Sequence, residues 1–174
     1  VTIFGDMPIF IDLESADVWA DPQLVNLDRQ CRPIEVAGVP PDYFSKTGQL
    51  WGNPVYNWAH HQSTGFRWWM ERLAWNTTLY DTVRIDHFRG FEAYWAVPYG
   101  AENAIDGRWE KAPGRQLLKR VRDQLGMAAF VAEDALGSVA RTVALGDLGV
   151  GLVGRRIGLG CGVTSSVAAG IAGC

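Results

Sequence analysis

TVRIDHFR, residues 82–89, is a short strand pattern that ends in a dense polar cluster. Because successive side chains of a strand point to opposite faces, Arg84 and Asp86 are expected on one face and Ile85 on the other. The stretch therefore predicts a strand over residues 82–86 that presents a paired cation and carboxylate at its end.

Two other apolar runs end in acidic residues in the same way. VTIFGDMPIF, residues 1–10, suits a buried strand that breaks near Asp6, and AAFVA, residues 128–132, runs into Glu133. In a parallel α/β sheet or barrel, ligands bind at the edge formed by the carboxyl ends of the strands. We therefore expect a ligand site where Asp6, Asp86 and Glu133 meet.

The segments between these strands predict one long loop and two helices. Residues 12–57 hold many turn formers and few periodic runs, which is typical of a lid or binding loop. Apolar residues at helical spacing predict helices over residues 64–79, capped by Ser63 or Thr64, and over residues 115–125. This alternation of strands and helices favours an α/β fold with a parallel sheet. A closed TIM barrel takes eight strands and about 250 residues, so we predict part of a (β/α)8 barrel, with about three βα units and a long inserted lid loop.

Composition and charge argue against several classes of function. The chain has 174 residues, a net charge of −3 and no long unbroken apolar run, which disfavours nucleic-acid, anionic-membrane and transmembrane roles. The three cysteines lack C-x-x-C spacing and a neighbouring His cluster, which fits reduced thiols in a cytoplasmic protein and predicts no zinc site. Phosphate-loop and dinucleotide-binding motifs are absent from the sequence.

Arg84, Asp86 and Glu133 are the candidate catalytic residues. A guanidinium two residues from a carboxylate on one strand face favours the charged carboxylate that a glycosidase nucleophile requires, although a structural ion pair is the alternative. Glu133 follows an apolar run and precedes Asp134, and both surroundings raise a carboxyl pKa and suit a general acid; a solvated helix-cap acid is the alternative. Together the two carboxylates resemble the retaining arrangement, in which the groups lie about 5–5.5 Å apart. His87 is expected to donate a hydrogen bond beside the nucleophile.

GVPPDYFSKTGQLWGN, residues 38–53, combines aromatic and polar side chains. Sugar rings stack their C–H faces on aromatic rings, which Tyr43, Phe44 and Trp51 offer, while polar side chains bond the hydroxyls. The polar candidates in this loop are Asp42, Gln49 and Asn53. The alternative is that the aromatic residues belong to the core, which we reject for Trp51 because Gly, Asn and Pro surround it.

The other aromatic and histidine residues are expected to be structural. Trp68, Trp69 and Trp75 lie in the predicted helix over residues 64–79 and are expected in the core. His60 and His61 are adjacent, so their side chains point apart on most backbones, and both are expected at the surface without a metal.

Six stretches follow the order of a known family: GDMPIF (5–10), SADVWA (15–20), AGVPPDYFSKTGQLWGNP (37–54), VRIDHFRGFEAYWAVP (83–98), GRW (107–109) and AED (132–134). They resemble the amylomaltases, or disproportionating 4-alpha-glucanotransferases, within the α-amylase-like barrel enzymes. The resemblance covers roughly residues 1–134, and its lid and VRIDHFRGF segments are specific to this family.

The resemblance implies a reaction and a role for each candidate. Asp86 would be the nucleophile that forms a covalent glucosyl-enzyme intermediate, Glu133 the general acid/base, and Arg84 the residue that orients Asp86. The residues that would contact the glucan or shape its subsites are Asp6, Asp42, Tyr43, Gln49, Trp51 and His87. Such an enzyme passes a glycosyl group from an α-1,4-glucan to the 4-hydroxyl of an acceptor sugar, with no metal or organic cofactor. A lid that excludes water would favour transfer over hydrolysis.

The sequence departs from the family pattern in two places. The family's third carboxylate, an Asp in a His-Asp motif, has no counterpart after residue 134. Residues 135–174 are rich in Gly, Ala and Val and contain no aromatic residue, which is typical of a frameshifted or artificial terminus or of a flexible tail. We therefore predict a partial catalytic barrel over residues 1–134 and an atypical tail over residues 135–174.

Three functions follow from the sequence. The leading hypothesis is a 4-alpha-glucanotransferase of which this chain is a piece with little activity alone. The second is a non-catalytic module that binds α-glucan through the aromatic lid, and the third is an α-glucan hydrolase. An α-1,4-glucan or maltooligosaccharide is the expected partner in all three.

Overall fold

A computed structural model of the protein describes residues 1–126, 129–133 and 151–153. In chain order the elements are β1 (Phe4–Pro8), α1 (Ala16–Ala20), β2 (Glu35–Val39), β3 (Gln49–Pro54), α2 (Trp58–Ser63), α3 (Arg67–Leu79), β4 (Thr82–Asp86), β5 (Ala93–Pro98), β6 (Arg108–Lys111), α4 (Gly114–Leu125), β7 (Phe130–Glu133) and β8 (Gly151–Val153). Short 3-10 helices lie at Pro22–Leu24 and Phe88–Phe91.

Four parallel strands form the sheet that carries the polar cluster, in the order β1-β4-β7-β8. β1 and β4 pair with Asp6 opposite Arg84 and Pro8 opposite Asp86, and β7 pairs with β4 through Ala132 opposite Ile85. The strand predicted over residues 82–86 is confirmed as β4, and the one that ends near Glu133 as β7. β8 falls in the segment predicted to be an atypical tail. The strand was not predicted because its three residues are too few to show an alternating pattern.

The two sides of the parallel sheet have different surroundings. Met7, Ile85 and Phe130 point to the side that α3 and α4 cover, and they belong to the main hydrophobic core. Arg84 and Asp86 point to the opposite side, where both stay partly exposed. Burial on one side and solvent on the other explain why apolar and charged residues alternate along β4.

The segment predicted as one long loop, residues 12–57, contains much of a second sheet, so that prediction is wrong. β2 and β3 lie within it and join β5 and β6 in an antiparallel sheet of order β3-β2-β5-β6. These strands could not be predicted from the sequence, because the turn formers Gly38, Gly52 and Pro54 lie inside them. A bulge in β2 also interrupts the alternation of side chains along the strand. The part of the lid that remains a turn is residues 40–48, between β2 and β3.

The helix predicted over residues 64–79 is confirmed as α3, which begins at Arg67, and the short helix α2 before it was not predicted. Gly65 (φ 62°) and Phe66 (φ 57°) separate them in the left-handed conformation. Left-handed residues end a right-handed helix. Thr64 is consequently the C-cap of α2 rather than the N-cap of the next helix, and α3 begins without a side-chain cap.

The helix predicted over residues 115–125 is confirmed as α4. Its apolar face is buried except at Leu125, which is 39% exposed in the last turn. The buried residues of that face are Leu117, Leu118 and Val121. Gly114 starts this helix against the carbonyl oxygen of Phe91, which an added Cβ would strike, so the close approach requires glycine.

His61 lies in the aromatic core, which corrects the prediction that it is a surface residue. It is fully buried, and its Nε2 lies 2.9 Å from the carbonyl oxygen of Leu24. Since a carbonyl only accepts, Nε2 carries the proton and donates. Burial lowers the pKa of His61 to about 4, so the ring is neutral near pH 7. His60, its neighbour, is partly exposed.

The three helix tryptophans have three different environments. Trp69 is fully buried and Trp68 packs against the core from a half-buried position, as expected. Trp75 is 65% exposed, so the prediction that it belongs to the core is wrong; it lies on the opposite side of α3 from the buried Leu73. Across the described ranges, no helix is long and apolar enough to cross a membrane.

Candidate functional site

The site is centred on Arg84, whose guanidinium lies between two carboxylates. Arg84 Nε is 3.3 Å from Asp6 Oδ1, and Arg84 Nη2 donates to Asp86 Oδ1 at 3.2 Å. β1 and β4 produce this arrangement because their register sets Asp6 directly opposite Arg84, and Asp86 follows two residues later on the same face. The Asp6 and Asp86 side chains are 59% and 47% exposed, so a ligand can reach both.

Asp6 does not follow the end of its strand, as the sequence analysis expected, but lies in the middle of β1. Pairing with β4 continues as far as Pro8, opposite Asp86. Gly5 lies inside β1 instead of ending it, and the ring of Tyr80 packs so close to its backbone that an added Cβ would strike the ring. The structure nevertheless brings Asp6 into the predicted cluster through Arg84.

Glu133 is the last residue of β7, one step beyond the Ile85–Ala132 pair. β7 is the neighbour of β4 in the parallel sheet, so Asp86 and Glu133 end adjacent strands. Asp134 lies outside the described residues. The predicted separation of about 5–5.5 Å between the two carboxyl groups, and the catalytic roles of Asp86, Glu133 and Arg84, stay predictions.

His87 turns the chain sharply away from β4. It adopts the left-handed conformation (φ 50°) and precedes the 3-10 helix Phe88–Phe91. Its ring meets the ring of Trp51 edge to face, with centroids 4.9 Å apart. This contact joins the end of β4, where Asp86 lies, to β3 of the second sheet.

Trp51 forms an aromatic wall with Phe10 and His87. Its indole is 38% exposed, and its centroid lies 6.3 Å from that of Phe10. Phe10 was not among the predicted site residues, although an aromatic residue just after the end of a strand is a signal that could have indicated it. We call Phe10, Trp51 and His87 the aromatic wall.

Gln49 and Asn53 support the strand that carries Trp51. Gln49 Oε1 accepts a hydrogen bond from Trp51 Nε1 at 3.2 Å, and Asn53 Nδ2 donates to the carbonyl of Ile11 at 3.2 Å. Both amides therefore have structural partners. Their predicted bonds to sugar hydroxyls stay predictions.

Asp42 ties together the turn that presents Tyr43 and Phe44. Asp42 Oδ1 accepts from the backbone N–H groups of Phe44 at 2.8 Å and Ser45 at 2.7 Å. The two aromatic rings meet edge to face at 5.6 Å and are 95% and 79% exposed. The turn thus holds two flat apolar surfaces in solvent, and the predicted contacts of Asp42 and Tyr43 with a glucan stay predictions.

Within residues 1–126, 129–133 and 151–153, no group of three or more His, Cys, Asp or Glu side chains is placed to hold a metal ion.

Comparison with known proteins decides the family. The family model described as 4-alpha-glucanotransferase matches residues 1–157. The chain belongs to the 4-alpha-glucanotransferase family. The match extends past residue 134, while the predicted domain boundary there stays a prediction.

Curated members of the 4-alpha-glucanotransferase family are similar over most of this chain. The 4-alpha-glucanotransferase of Aquifex aeolicus is 57% identical over 134 residues, which is 77% of this chain and 28% of that protein. The one of Thermus thermophilus is 49% identical over 158 residues, or 90% of this chain and 31% of that protein. The chain therefore spans under a third of the length of these relatives.

Solved structures of the family confirm the predicted fold class. The amylomaltase from Streptococcus agalactiae in complex with acarbose superposes with a TM-score of 0.78 at 42% identity, covering 84% of this chain and 30% of that one. The amylomaltase from Corynebacterium glutamicum gives a TM-score of 0.73 at 19% identity, a likeness of fold alone. The fold is part of a (β/α)8 barrel, to which the second, antiparallel sheet is added.

Proposed function

We propose that this chain carries the donor-binding and nucleophile-bearing part of a 4-alpha-glucanotransferase. The observation that supports it best is the Asp6–Arg84–Asp86 cluster, which lies on the open side of a parallel sheet in a chain of this family. The substrates would be an α-1,4-glucan or maltooligosaccharide donor and a sugar acceptor.

In the proposed reaction Asp86 attacks the anomeric carbon of the donor. The glycosidic carbon–oxygen bond breaks as Glu133 gives its proton to the departing oxygen, and a covalent glycosyl-Asp86 ester forms. The 4-hydroxyl of the acceptor then gives its proton to Glu133 and attacks the same carbon, which frees Asp86. Arg84 orients the attacking carboxylate through the Nη2–Oδ1 bond of 3.2 Å.

Aromatic surfaces would select sugar over water as the acceptor. Trp51 lies in the wall beside His87, and Tyr43 and Phe44 stand exposed on the adjacent turn. Glucose rings stacked on these faces would exclude water from the glycosyl ester, because a lid that closes over an active site sequesters the reaction.

The proposed location is the cytoplasm. Cys31 is a free, exposed thiol, as in proteins of reducing compartments, and the relatives from Aquifex aeolicus and Thermus thermophilus are bacterial. A similar protein from Solanum tuberosum is named chloroplastic/amyloplastic. Fractionation of the source cells tests the location, and we expect the protein in the cytoplasmic fraction and not in a plastid fraction.

A chimaeric enzyme tests the proposed function, because a longer relative supplies the part of the barrel that this chain does not cover. Residues 1–133 would replace the aligned segment of the Thermus thermophilus protein, which is 49% identical to this chain over 158 residues. We expect the chimaera to convert maltotriose into glucose and longer maltooligosaccharides. Formation of shorter sugars alone would show a hydrolase and contradict the proposal.

The matched control for the chimaera is Asp86→Asn, which keeps the side-chain shape. We expect turnover to fall by about three orders of magnitude or more, the scale of loss seen on removal of a nucleophile elsewhere. Full turnover by the Asp86→Asn chimaera would rule out Asp86 as nucleophile.

A glucan-binding module is the second candidate function, which the exposure of Tyr43 and Phe44 favours. It predicts that this chain binds maltoheptaose and that its Asp86→Asn variant binds equally well. The chimaera distinguishes the glucanotransferase from the glucan-binding module, since a module that only binds glucan would give no turnover.

A further inference from the structure

The C-terminal end of β1 is held by a cation that the proposed reaction does not use. Arg72, on α3, donates from Nη2 to the carbonyl of Pro8 at 2.8 Å and from Nη1 to the carbonyl of Ile9 at 3.2 Å. Tyr56 donates its hydroxyl to the same Ile9 carbonyl at 2.6 Å and accepts from Arg72 Nη1 at 3.4 Å. Two donors therefore converge on one carbonyl just after the strand that carries Asp6.

We call Arg72 and Tyr56, which both donate to the Ile9 carbonyl, the clamp, and aromatic rings and burial surround it. The Arg72 guanidinium lies 5.2 Å from the ring centroid of Trp68 and 5.4 Å from that of Trp69. Tyr56 is buried, and burial raises the pKa of its hydroxyl, so it remains a donor at all ordinary pH values. The partners of Arg72 are uncharged oxygens; among the residues described, no carboxylate forms an ion pair with it.

The clamp is connected to the aromatic wall by direct ring contacts. Phe10 follows the clamped Ile9 and stacks on Tyr56, with centroids 5.8 Å apart and planes 19° from parallel. Phe10 then contacts Trp51 at 6.3 Å, and Trp51 contacts His87 at 4.9 Å. A displaced Ile9 carbonyl would move Phe10, and with it the surface on which Trp51 rests.

We propose that Arg72 is a positioning residue for the glucan site, acting with Tyr56 through the backbone of residues 8–10. It fixes the aromatic wall relative to Asp86 without touching substrate. The inference rests on the proposed function, because the wall is taken to bind sugar.

The test reads ring contacts in the whole chain by NMR, with no sugar present. We expect Arg72→Met to lose the nuclear Overhauser contact between Trp51 and His87. The contact between Trp69 and Phe91, whose centroids are 5.0 Å apart in the core, should remain. Arg72→Lys keeps the charge but not the forked donor, so it should recover the Trp51–His87 contact in part. Arg67→Met removes an exposed cation from the same helix and should leave both contacts unchanged.

Either of two results would overturn the proposal. The first is an unaltered Trp51–His87 contact in Arg72→Met. The second is loss of the Trp69–Phe91 contact in both Arg72→Met and Tyr56→Phe, which would show that the clamp supports the whole core rather than the wall.

A maltoheptaose titration of the same variants keeps this proposal apart from the proposed function. We expect the affinity to fall about tenfold in Arg72→Met, the effect of one lost charge-assisted hydrogen bond. A wild-type chain that shows the ring contact but no sugar binding would count against the proposed function and leave the positioning role standing.

Discussion

Arg84 gives the open side of the parallel sheet its electrostatic character. One guanidinium serves two carboxylates, Asp6 and Asp86, through different nitrogen atoms. The three residues together therefore carry a formal charge of −1. A negative cluster suits glycosyl transfer, because the sugar ring develops positive charge in the transition state.

Trp51 and Trp75 provide a matched test of the aromatic wall. Both indoles are partly exposed, but only Trp51 contacts His87, while Trp75 lies on α3. We expect Trp51→Ala to weaken maltoheptaose binding about tenfold and Trp75→Ala to leave it unchanged, measured by isothermal titration calorimetry. Equal losses in the two variants would mean that the wall is not the binding surface.

His61 makes stability depend on pH in a defined window. Its pKa is about 4 in the folded chain, against about 6.5 when unfolded, so between these values only the unfolded chain binds the proton. Stability therefore falls as the pH drops from about 6.5 to 4, by up to about 3 kcal/mol. Urea unfolding at several pH values should show this slope in the wild type.

The control for the pH effect is the adjacent histidine. His61→Gln should flatten the dependence of unfolding free energy on pH, whereas His60→Gln, at a partly exposed position, should preserve it. An unchanged slope in His61→Gln would place the titrating group elsewhere.

At the level of elements, one carboxylate oxygen of Asp42 accepts two of the hydrogen bonds that hold the turn of residues 40–48. Asp42→Ala removes the acceptor for two backbone N–H groups, whereas Asp42→Asn keeps an oxygen in the same place. We expect Asp42→Ala to increase chymotrypsin cleavage at Tyr43 and Phe44 about fivefold, the effect of about 1 kcal/mol of lost local stability. Asp42→Asn should be cut at the wild-type rate, and equal cleavage of both variants would exclude this role for Asp42.

The sequence predicted the elements whose patterns are local. β4 shows clean alternation, and α4 shows an apolar face at helical spacing, so both emerged from single stretches. β2 and β3 did not, because their Gly38 and Gly52 suggest turns, and only the pairing of β2 with β3 on one side and with β5 on the other makes them strands. α3 begins later than predicted because Phe66 is left-handed, a conformation that the residue type does not predict.

The same division holds for the candidate site. Arg84 and Asp86 share a strand, so their proximity follows from alternation alone. The Phe10–Trp51–His87 wall joins residues distant in sequence, and nothing in their spacing predicts contact. His61 was misplaced for the same reason, since its burial depends on partners such as Leu24 and Tyr56.

For the molecule as a whole, the edge of the parallel sheet at β1 favours self-association. β1 is the end strand in the sheet order, and Phe4 on it is 57% exposed. Exposed apolar strands at a sheet edge pair with other chains. We expect sedimentation velocity to show association that grows with concentration and that Phe4→Lys reduces several-fold. Leu79→Lys, which changes an exposed apolar residue at the end of α3, should have little effect; equal relief by both would point to general hydrophobicity.

His87 gives a final consequence of the fold. A residue with a side chain costs about 1–2 kcal/mol in the left-handed conformation that His87 holds, whereas glycine adopts it freely. A mutant library screened only for heat resistance should therefore enrich glycine at position 87 and discard the ring that faces Trp51. At position 87, selection for thermal stability would favour glycine, whereas selection for sugar recognition would favour histidine.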